Sequence, residues 1–496
     1  MNNMSTAKRT TSRTKSKSSV QTGIQPRLTS QFFAGRRKEF LRRMPANSVA
    51  IFVATPERTR SNDTEYAYRP SSDLLYLSNF PEPEAILMFV KGASGARGKS
   101  KFVMFVRPKD KMREIWTGVR AGVEGARERY GADEAYTEDQ FEKVLRDVLD
   151  DAEQVLYRFD RNQHVDERFR KVWIGSANSQ KTLGNPEEIV HEMRLFKTAE
   201  EIEIMRWAGA VSARAHMAAM QVTRPGMNEA QVQAVMEAIF RFNGASYPAY
   251  TSIVGGGDNA TILHYIENEA TLNSGDLLLI DAACEYQGYA SDITRCFPVS
   301  GKFSPAQRAL YEIVLEAEKA GIAMARPGVR LADIHETASN ILRKGLVTLG
   351  LLPRTHLTAE GEKKALDAWK KAGSKGEQPL RLFDFYMHGT SHWIGLDVHD
   401  VGTYGTRSQT GKKRLLKPGM AFTIEPGLYV SQSETRVPAA YRGIGIRIED
   451  DVVITADGAE VLTKDVVKEV ADIERVMGSK QALAARSGID ELLLLR

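Results

Sequence analysis

Four carboxylates of this sequence sit in stretches patterned as buried β-strand, where an unpartnered charge is costly. Asp281 ends the apolar run Leu277-Leu-Leu-Ile-Asp281, and Asp292 lies in Tyr289-Ala-Ser-Asp292-Ile-Thr-Arg-Cys-Phe297, the two runs flanking the turn residues Tyr286-Gln-Gly288. Centring that turn between Tyr286 and Gln287 predicts a hairpin with Asp281 directly opposite Asp292, an arrangement that repels itself unless a cation lies between the two. Glu425 closes Met420-Ala-Phe-Thr-Ile-Glu425 just before Pro426-Gly427, and Glu449 interrupts Gly445-Ile-Arg-Ile-Glu449-Asp-Asp-Val-Val-Ile454. For Glu449 alone, an ion pair with Arg447 on the same strand face is the simpler account; four such acids in one half of the chain are harder to explain one by one. Three of the nine histidines fall in His388-Gly-Thr-Ser-His392-Trp-Ile-Gly-Leu-Asp-Val-His399. A spacing of four suits a helical zinc pair, but Gly389, Thr390 and Gly395 favour strand or loop. Four carboxylates and one neutral imidazole carry a charge that two divalent cations balance, so a dinuclear site with a bridging water or hydroxide is electrically sensible. Mostly oxygen donors with one nitrogen favour manganese-type ions, with cobalt, iron or zinc as alternatives.

The elements that must position these groups are readable from their start and stop signals. Thr198-Ala-Glu-Glu201 and Ser304-Pro-Ala-Gln307 are capping boxes, and each opens a helix of about 20 residues. Both helices stop at an Arg-Pro-Gly tripeptide, Arg224-Pro-Gly226 and Arg326-Pro-Gly328, and a second amphipathic helix follows from Asn228 and from Leu331. Each pair leads into a β-rich segment, 277–299 and 419–455, so the second half is predicted to be a duplication of helix, helix and strands. Before Phe196 the pattern is different. Short apolar runs (Val49–Ala54, Ile86–Val90, Phe102–Val106, Val155–Phe159) alternate with helix-like polar segments such as 137–151, the mark of an α/β domain with buried strands.

Composition bounds the remaining possibilities. The chain has 496 residues, 42% hydrophobic and 26% charged, enough for two or three cored domains. No run reaches the ~18 apolar residues of a membrane span, and the opening residues carry no apolar secretory core. The net charge of +5 is local: residues 1–38 hold nine Lys/Arg and no acid, leaving 59 basic against 63 acidic residues elsewhere. The Ser/Thr-rich opening is expected to be a disordered tail, with an organelle-targeting segment or a polyanion-binding arm as its alternatives, and the globular part has no general claim on nucleic acid. Cys284 and Cys296 fall on opposite strand faces in the predicted register, so no disulfide is expected and a reducing, cytoplasmic setting is favoured.

At these residues the sequence resembles the metal-dependent aminopeptidase P family, proline-specific relatives of methionine aminopeptidase and prolidase with the pita-bread fold. The resemblance runs through residues 280–295, 387–400, Glu425-Pro-Gly-Leu-Tyr429 and 441–451, and reaches the first half at Glu65-Tyr-Ala-Tyr-Arg69, Ser72-Asp73 and Glu82-Pro-Glu-Ala85. It covers about 33–478 and leaves out the basic tail, a polar loop around 358–378 and the last dozen residues. It implies a disordered tail over 1–28, an α/β creatinase-like domain over 29–193, an α+β pita-bread domain with duplicated halves over 194–480, and a tail over 481–496. Carried over by motif, Asp281 would chelate one metal, Asp292 and Glu449 would bridge both, and His392 with Glu425 would complete the second. Glu425 would also shuttle a proton, His264 would stabilise the tetrahedral intermediate, and His399 would contact the substrate. His388, Tyr429 and Arg447 would line or support the proline pocket, while Trp116 would reach a neighbouring subunit's site in a homotetramer or dimer. The activity implied is removal of an N-terminal residue from a following proline by a metal-bridging hydroxide. Prolidase, confined to Xaa-Pro dipeptides, is the rival reading. A non-catalytic scaffold is remote, because such relatives typically lose ligands and all five are present here.

Overall fold

The computed structural model describes residues 25–92, 100–174, 181–405 and 414–493. The expected basic tail therefore lies outside the described residues up to 24. Its last part departs from the expectation: the carbonyl of Pro26 accepts hydrogen bonds from Tyr286 Oη (3.0 Å) and Gln287 Nε2 (2.7 Å), which ties 25–28 to the hairpin turn.

The first domain is a six-stranded mixed sheet. Its members are β1 (Ser48–Val53), β2 (Ile86–Lys91), β3 (Lys101–Val106), β4 (Glu134–Thr137), β5 (Gln154–Tyr157) and β6 (Thr182–Gly184), in the order β4-β3-β2-β1-β5-β6. β2 is antiparallel to β1 and β3, while β5 runs parallel to β1 and β6. The central strands read as continuous apolar runs because both faces are covered. Phe40, Leu74 and Leu77 pack on one side, Phe141, Leu145 and Phe169 on the other. The edge strands β4 and β6 escaped the sequence reading because they carry polar residues and only one neighbour.

Helix α1 (Ala199–Val222) starts at the expected capping box, the Thr198 side chain accepting from Glu201 N, and α2 (Glu229–Phe242) follows Gly226. Helix α3 (Pro305–Met324) starts at the Ser304/Gln307 box and α4 (Leu331–Thr348) follows Gly328. Gly226 and Gly328 adopt nearly the same left-handed φ, +89° and +88°, so the two Arg-Pro-Gly stops are conformational as well as sequence repeats. Two segments depart from expectation. The polar loop 358–378 contains the helix Ala359–Lys371, N-capped by Thr358 and rich in strong helix formers, yet with no buried residue. The expected tail from 481 is helical over Lys480–Leu493 and packs on α1, with Arg486 Nε donating to the Gln221 carbonyl.

The hairpin register also differs from the predicted one. Tyr286 faces Tyr289 and Asp281 faces Thr294, not Asp292. Gln287 and Gly288 both have positive φ, +49° and +83°, so they form the two central residues of a type I′ turn. The turn centre lies one residue further along the chain than predicted, which moves each partner by two positions and keeps every side chain on its predicted face. Cys296 faces Leu279, and both cysteines are buried free thiols.

Close approach of the second half to the first is fixed at Gly445, in the strand Ile444–Arg447: a Cβ there would stand 1.9 Å from the Ala260 carbonyl oxygen. Gly445→Ala is expected to destabilise the fold by about 2–3 kcal/mol through overpacking against backbone. A calorimetric melt should show a transition several degrees lower, and an unchanged melt would mean that the 257–261 turn yields freely.

Candidate active site

Asp281, at the end of its strand, and Asp292, in the short unpaired stretch after Ala290, converge although they are not cross-strand partners. Tyr250 Oη donates within hydrogen-bond range of both, 2.5 Å from Asp281 Oδ1 and 2.6 Å from Asp292 Oδ1. Asp292 is fixed through its own backbone, whose N–H donates to Asp451 Oδ2 at 3.0 Å. Glu449 comes from the second half and is set against the first by two contacts: its N–H donates to the Thr294 carbonyl (3.1 Å) and its Oε2 accepts from Thr294 Oγ1 (2.6 Å). His392 lies on an irregular loop, as Gly389, Thr390 and Gly395 suggested, with Nδ1 against its neighbour's carbonyl, Trp393 O, at 3.0 Å. Its Nε2 is left to face Asp292 Oδ2 (3.3 Å), Glu425 Oε1 (3.4 Å) and Glu449 Oε1 (4.0 Å).

Asp292, His392 and Glu449 each offer a ligand atom within 4.8 Å of the others, with Glu425 beside them. Burial, with repulsion from Asp281, raises Asp292 against the opposing His392; burial and repulsion from Asp292, Glu425 and Asp281 push Glu449 well above the carboxylate range, and burial with the charges of Asp292 and Asp281 raises Glu425 to about 7. Burial would lower His392, but Asp292 and Glu425 outweigh it and raise the imidazole to about 9. Four carboxyl groups and an imidazole aimed at one space form a donor set for two hard or borderline divalent ions, with oxygen dominating. The donors therefore fit the metal pair that the sequence suggested.

Arg447 corrects one alternative. Its Nη2 lies 2.6 Å from Asp281 Oδ2, its Nη1 donates to Tyr429 Oη (2.8 Å) and its Nε to Thr294 Oγ1 (3.0 Å). The simple Arg447–Glu449 pair is replaced by a bridge to the opposite acid, because the guanidinium reaches across the strand junction. Tyr429 Oη also meets His388 Nε2 at 2.8 Å. Buried at 2% exposure, Tyr429 stands behind His388 and orients it, so it supplies no floor for a ligand.

A cavity of about 410 Å³ opens over these groups, lined by Asp281, Asp292, His392, Glu425, Glu449 and Arg447, with His264, His388 and His399 around them. His399 packs edge-on to His392, ring centroids 4.3 Å apart, and burial together with His392 lowers its pKa. His388 is lowered to about 3, chiefly by burial and Arg447, and stays neutral. Trp116 alone of the expected residues is elsewhere, 86% exposed on the helix Lys111–Thr117 of the first domain. The sequence reading missed Tyr250, which no pattern marks, and Tyr404, which lines the cavity and stacks on Trp393. Thr294 was findable: two residues after Asp292, it shares that residue's strand face.

Residues 203–456 match the description metallopeptidase family M24, and residues 33–157 match the aminopeptidase P N-terminal domain. The Xaa-Pro aminopeptidase of Escherichia coli (strain K12) is 42% identical over 457 residues, 91% of this chain and 98% of that protein. Human Xaa-Pro aminopeptidase 3 is 31% identical over 443 residues, covering 89% and 83% respectively. Among solved structures, Pseudomonas aeruginosa aminopeptidase PepP aligns with a TM-score of 0.82 at 42% identity over 93% of this chain and 99% of that one. The low pH form of aminopeptidase P from E. coli gives 0.82 at 40% identity, again over 93% and 99%.

The donor geometry separates two kinds of variant. Asp292→Ala is expected to lose bound divalent metal and nearly all activity, since it removes a carboxylate shared by Tyr250, His392 and the cluster. His264→Ala, at a side chain with no hydrogen bond or ion pair to the described donors, should keep its metal and lose rate only. Metal content by plasma emission spectroscopy on the purified proteins decides both: two ions retained by Asp292→Ala, or ions lost by His264→Ala, would contradict the assignment.

Proposed function

The chain belongs to metallopeptidase family M24, with an aminopeptidase P N-terminal domain and the pita-bread catalytic fold, and on that premise we propose how its residues remove an N-terminal residue from a following proline. The observation that carries the reading is the convergence of Asp292, His392, Glu425 and Glu449 on one cavity with Asp281 and three further histidines. Asp281, Asp292, His392, Glu425 and Glu449 would hold two divalent ions, manganese by the oxygen-rich donor set, which when bound would supply an acidified water and a Lewis acid for the scissile carbonyl. Asp292 and Glu449, both buried and both facing His392 Nε2, would be the donors shared by the two ions.

The chain's own groups do the rest. Glu425 moves a proton from the attacking water to the departing proline nitrogen, a role supported by a carboxyl that burial and its neighbours push upward. His264, on the rim of the cavity, donates to the carbonyl oxygen as negative charge develops there. His399 contacts the substrate beside His392. His388 faces the proline ring, with Tyr429 holding its Nε2 and Arg447 holding Tyr429. Proline has no N–H to offer, so a pocket walled by a neutral imidazole loses no hydrogen bond in accepting it. Prolidase is disfavoured because the similar proteins of near-full coverage are named Xaa-Pro aminopeptidases.

A homo-oligomer completes this reading. Met112, Ile115, Trp116 and Val119 are 71–86% exposed in and beside a helix with no buried residue, and an apolar group of this kind is suited to a second subunit.

Two measurements test the proposal. Under one metal condition, Xaa-Pro-Xaa should be cleaved at least as well as Xaa-Pro, and Xaa-Ala-Xaa about tenfold or more worse in kcat/KM; cleavage confined to the dipeptide, or efficient cleavage of the alanine peptide, would overturn it. Light scattering at assay concentration should give a dimer or tetramer that Trp116→Ala weakens, and a fully active monomer would remove the oligomer from the account.

A further inference from the structure

His399 takes its position from the loop that carries it. Its ring makes no hydrogen bond to another described side chain, and its contact with His392 is ring against ring. The loop that carries it, from Gly395 to Asp400, belongs to no sheet. It closes on itself through Gly395 N to the Asp397 carbonyl (3.1 Å) and Asp400 N to the Trp393 carbonyl (2.8 Å). Gly395 is required there: a Cβ would stand 2.2 Å from Asp400 Oδ2 and 2.9 Å from Lys197 Cε.

From outside, the Ala290 N–H donates to the Gly395 carbonyl (2.7 Å), and the carboxylates that flank His399 meet the guanidinium of Arg194. Arg194, 3% exposed at the end of the helix Glu187–Leu195 between the domains, donates from Nη2 to both Asp397 Oδ2 (2.7 Å) and Asp400 Oδ1 (2.5 Å). These are the residues two before and one after His399. Its other terminal nitrogen donates to Asp73 Oδ1 (2.8 Å) on the first-domain helix Ser72–Ser78. The first domain adds Ser72 Oγ on Asp397 Oδ1 (2.5 Å) and Arg69 Nη2 on the Leu396 carbonyl (2.7 Å). Lys197 Nζ takes the second oxygen of Asp400 at 2.9 Å. A planar fork serving three carboxylates fixes direction as well as charge, which an ammonium on the same site does not.

We infer that Arg194 is a positioning residue for His399, and that the first domain acts on the reaction of its own chain through the Asp73–Arg194–Asp397/Asp400 clamp. The inference rests on the reading of His399 as a substrate contact. No clamp side chain hydrogen-bonds a metal donor; the nearest link is the Trp393 carbonyl, which meets both Asp400 N (2.8 Å) and His392 Nδ1 (3.0 Å), so metal content is measured for each variant.

A double-mutant cycle on the full-length, metal-loaded enzyme tests this. Arg194→Lys keeps the buried charge and removes the fork; Asp397→Asn, on a side chain 40% exposed, loosens the same clamp with little risk to folding. Each is combined with His399→Ala. The expected result is a loss of about tenfold to a hundredfold in kcat/KM for Arg194→Lys, a smaller loss for Asp397→Asn, both in the same parameter, kcat or KM, that His399→Ala changes, with metal content unaltered. In the His399→Ala background either clamp variant should cost almost nothing further. Full additivity would place the effect of Arg194 elsewhere and overturn the inference, as would wild-type kinetics for both clamp variants while His399→Ala is impaired. Should Arg194→Lys fail to fold, the Asp397→Asn arm decides by the same criterion. If His399→Ala is itself fully active, the reading of His399 fails and the inference falls with it, a result distinguishable from the others because it appears in the single variant.

Discussion

Mutual repulsion among Asp281, Asp292, Glu425 and Glu449 is the constraint around which this protein is built. Carboxylates buried in a protein interior ionise only if positive charge and donors face them, and each of the four has such partners. Arg447 faces Asp281, the single O–H of Tyr250 lies between Asp281 and Asp292, Thr294 donates to Glu449, and the imidazole of His392 stands between the others. Divalent ions supply the remaining charge in a family of metallopeptidases.

The duplicated halves are the means of bringing the acids together. The first half contributes Asp281 and Asp292 from one hairpin, and the second contributes His392, Glu425 and Glu449. Their seam is sealed immediately behind Glu449 by Arg295, wholly buried, which donates to the carbonyls of Thr294 (3.0 Å) and Glu449 (2.6 Å) and to Asp450 Oδ1 (2.7 Å). Lys468 Nζ closes the network on Asp450 and Glu318, 2.6 Å from each. A buried ionic network of this kind is a poor source of net stability, but its directional bonds fix one register between the halves, and the register decides where Glu449 points.

The first domain has two surfaces with different work. Its outward helix Lys111–Thr117 exposes apolar side chains, while its inward residues Arg69, Ser72 and Asp73 reach the loop beside the metal donors. The catalytic half is thus braced by a domain that contributes none of the five candidate metal donors.

The element order was legible in the sequence because local signals fix it: capping boxes at Thr198 and Ser304, Arg-Pro-Gly stops, and apolar runs for strands covered on both faces. The four misplaced acids and the histidine loop were legible too, since a charge inside an apolar strand pattern violates a local rule, and such violations concentrate at functional sites. The family resemblance added the expected roles of His264 and His399, which no spacing supplies. Only the tertiary structure decided the hairpin register, because a type I′ turn at Gln287-Gly288 and a turn one residue earlier leave the same acids on the same face. It alone turned Arg447 from Glu449 to Asp281, brought Tyr250 under both aspartates and put Tyr429 behind His388. Those contacts join residues tens to hundreds of positions apart, and a sequence pattern of period two or 3.6 reports which way a side chain points from its own element, never which distant element will meet it there.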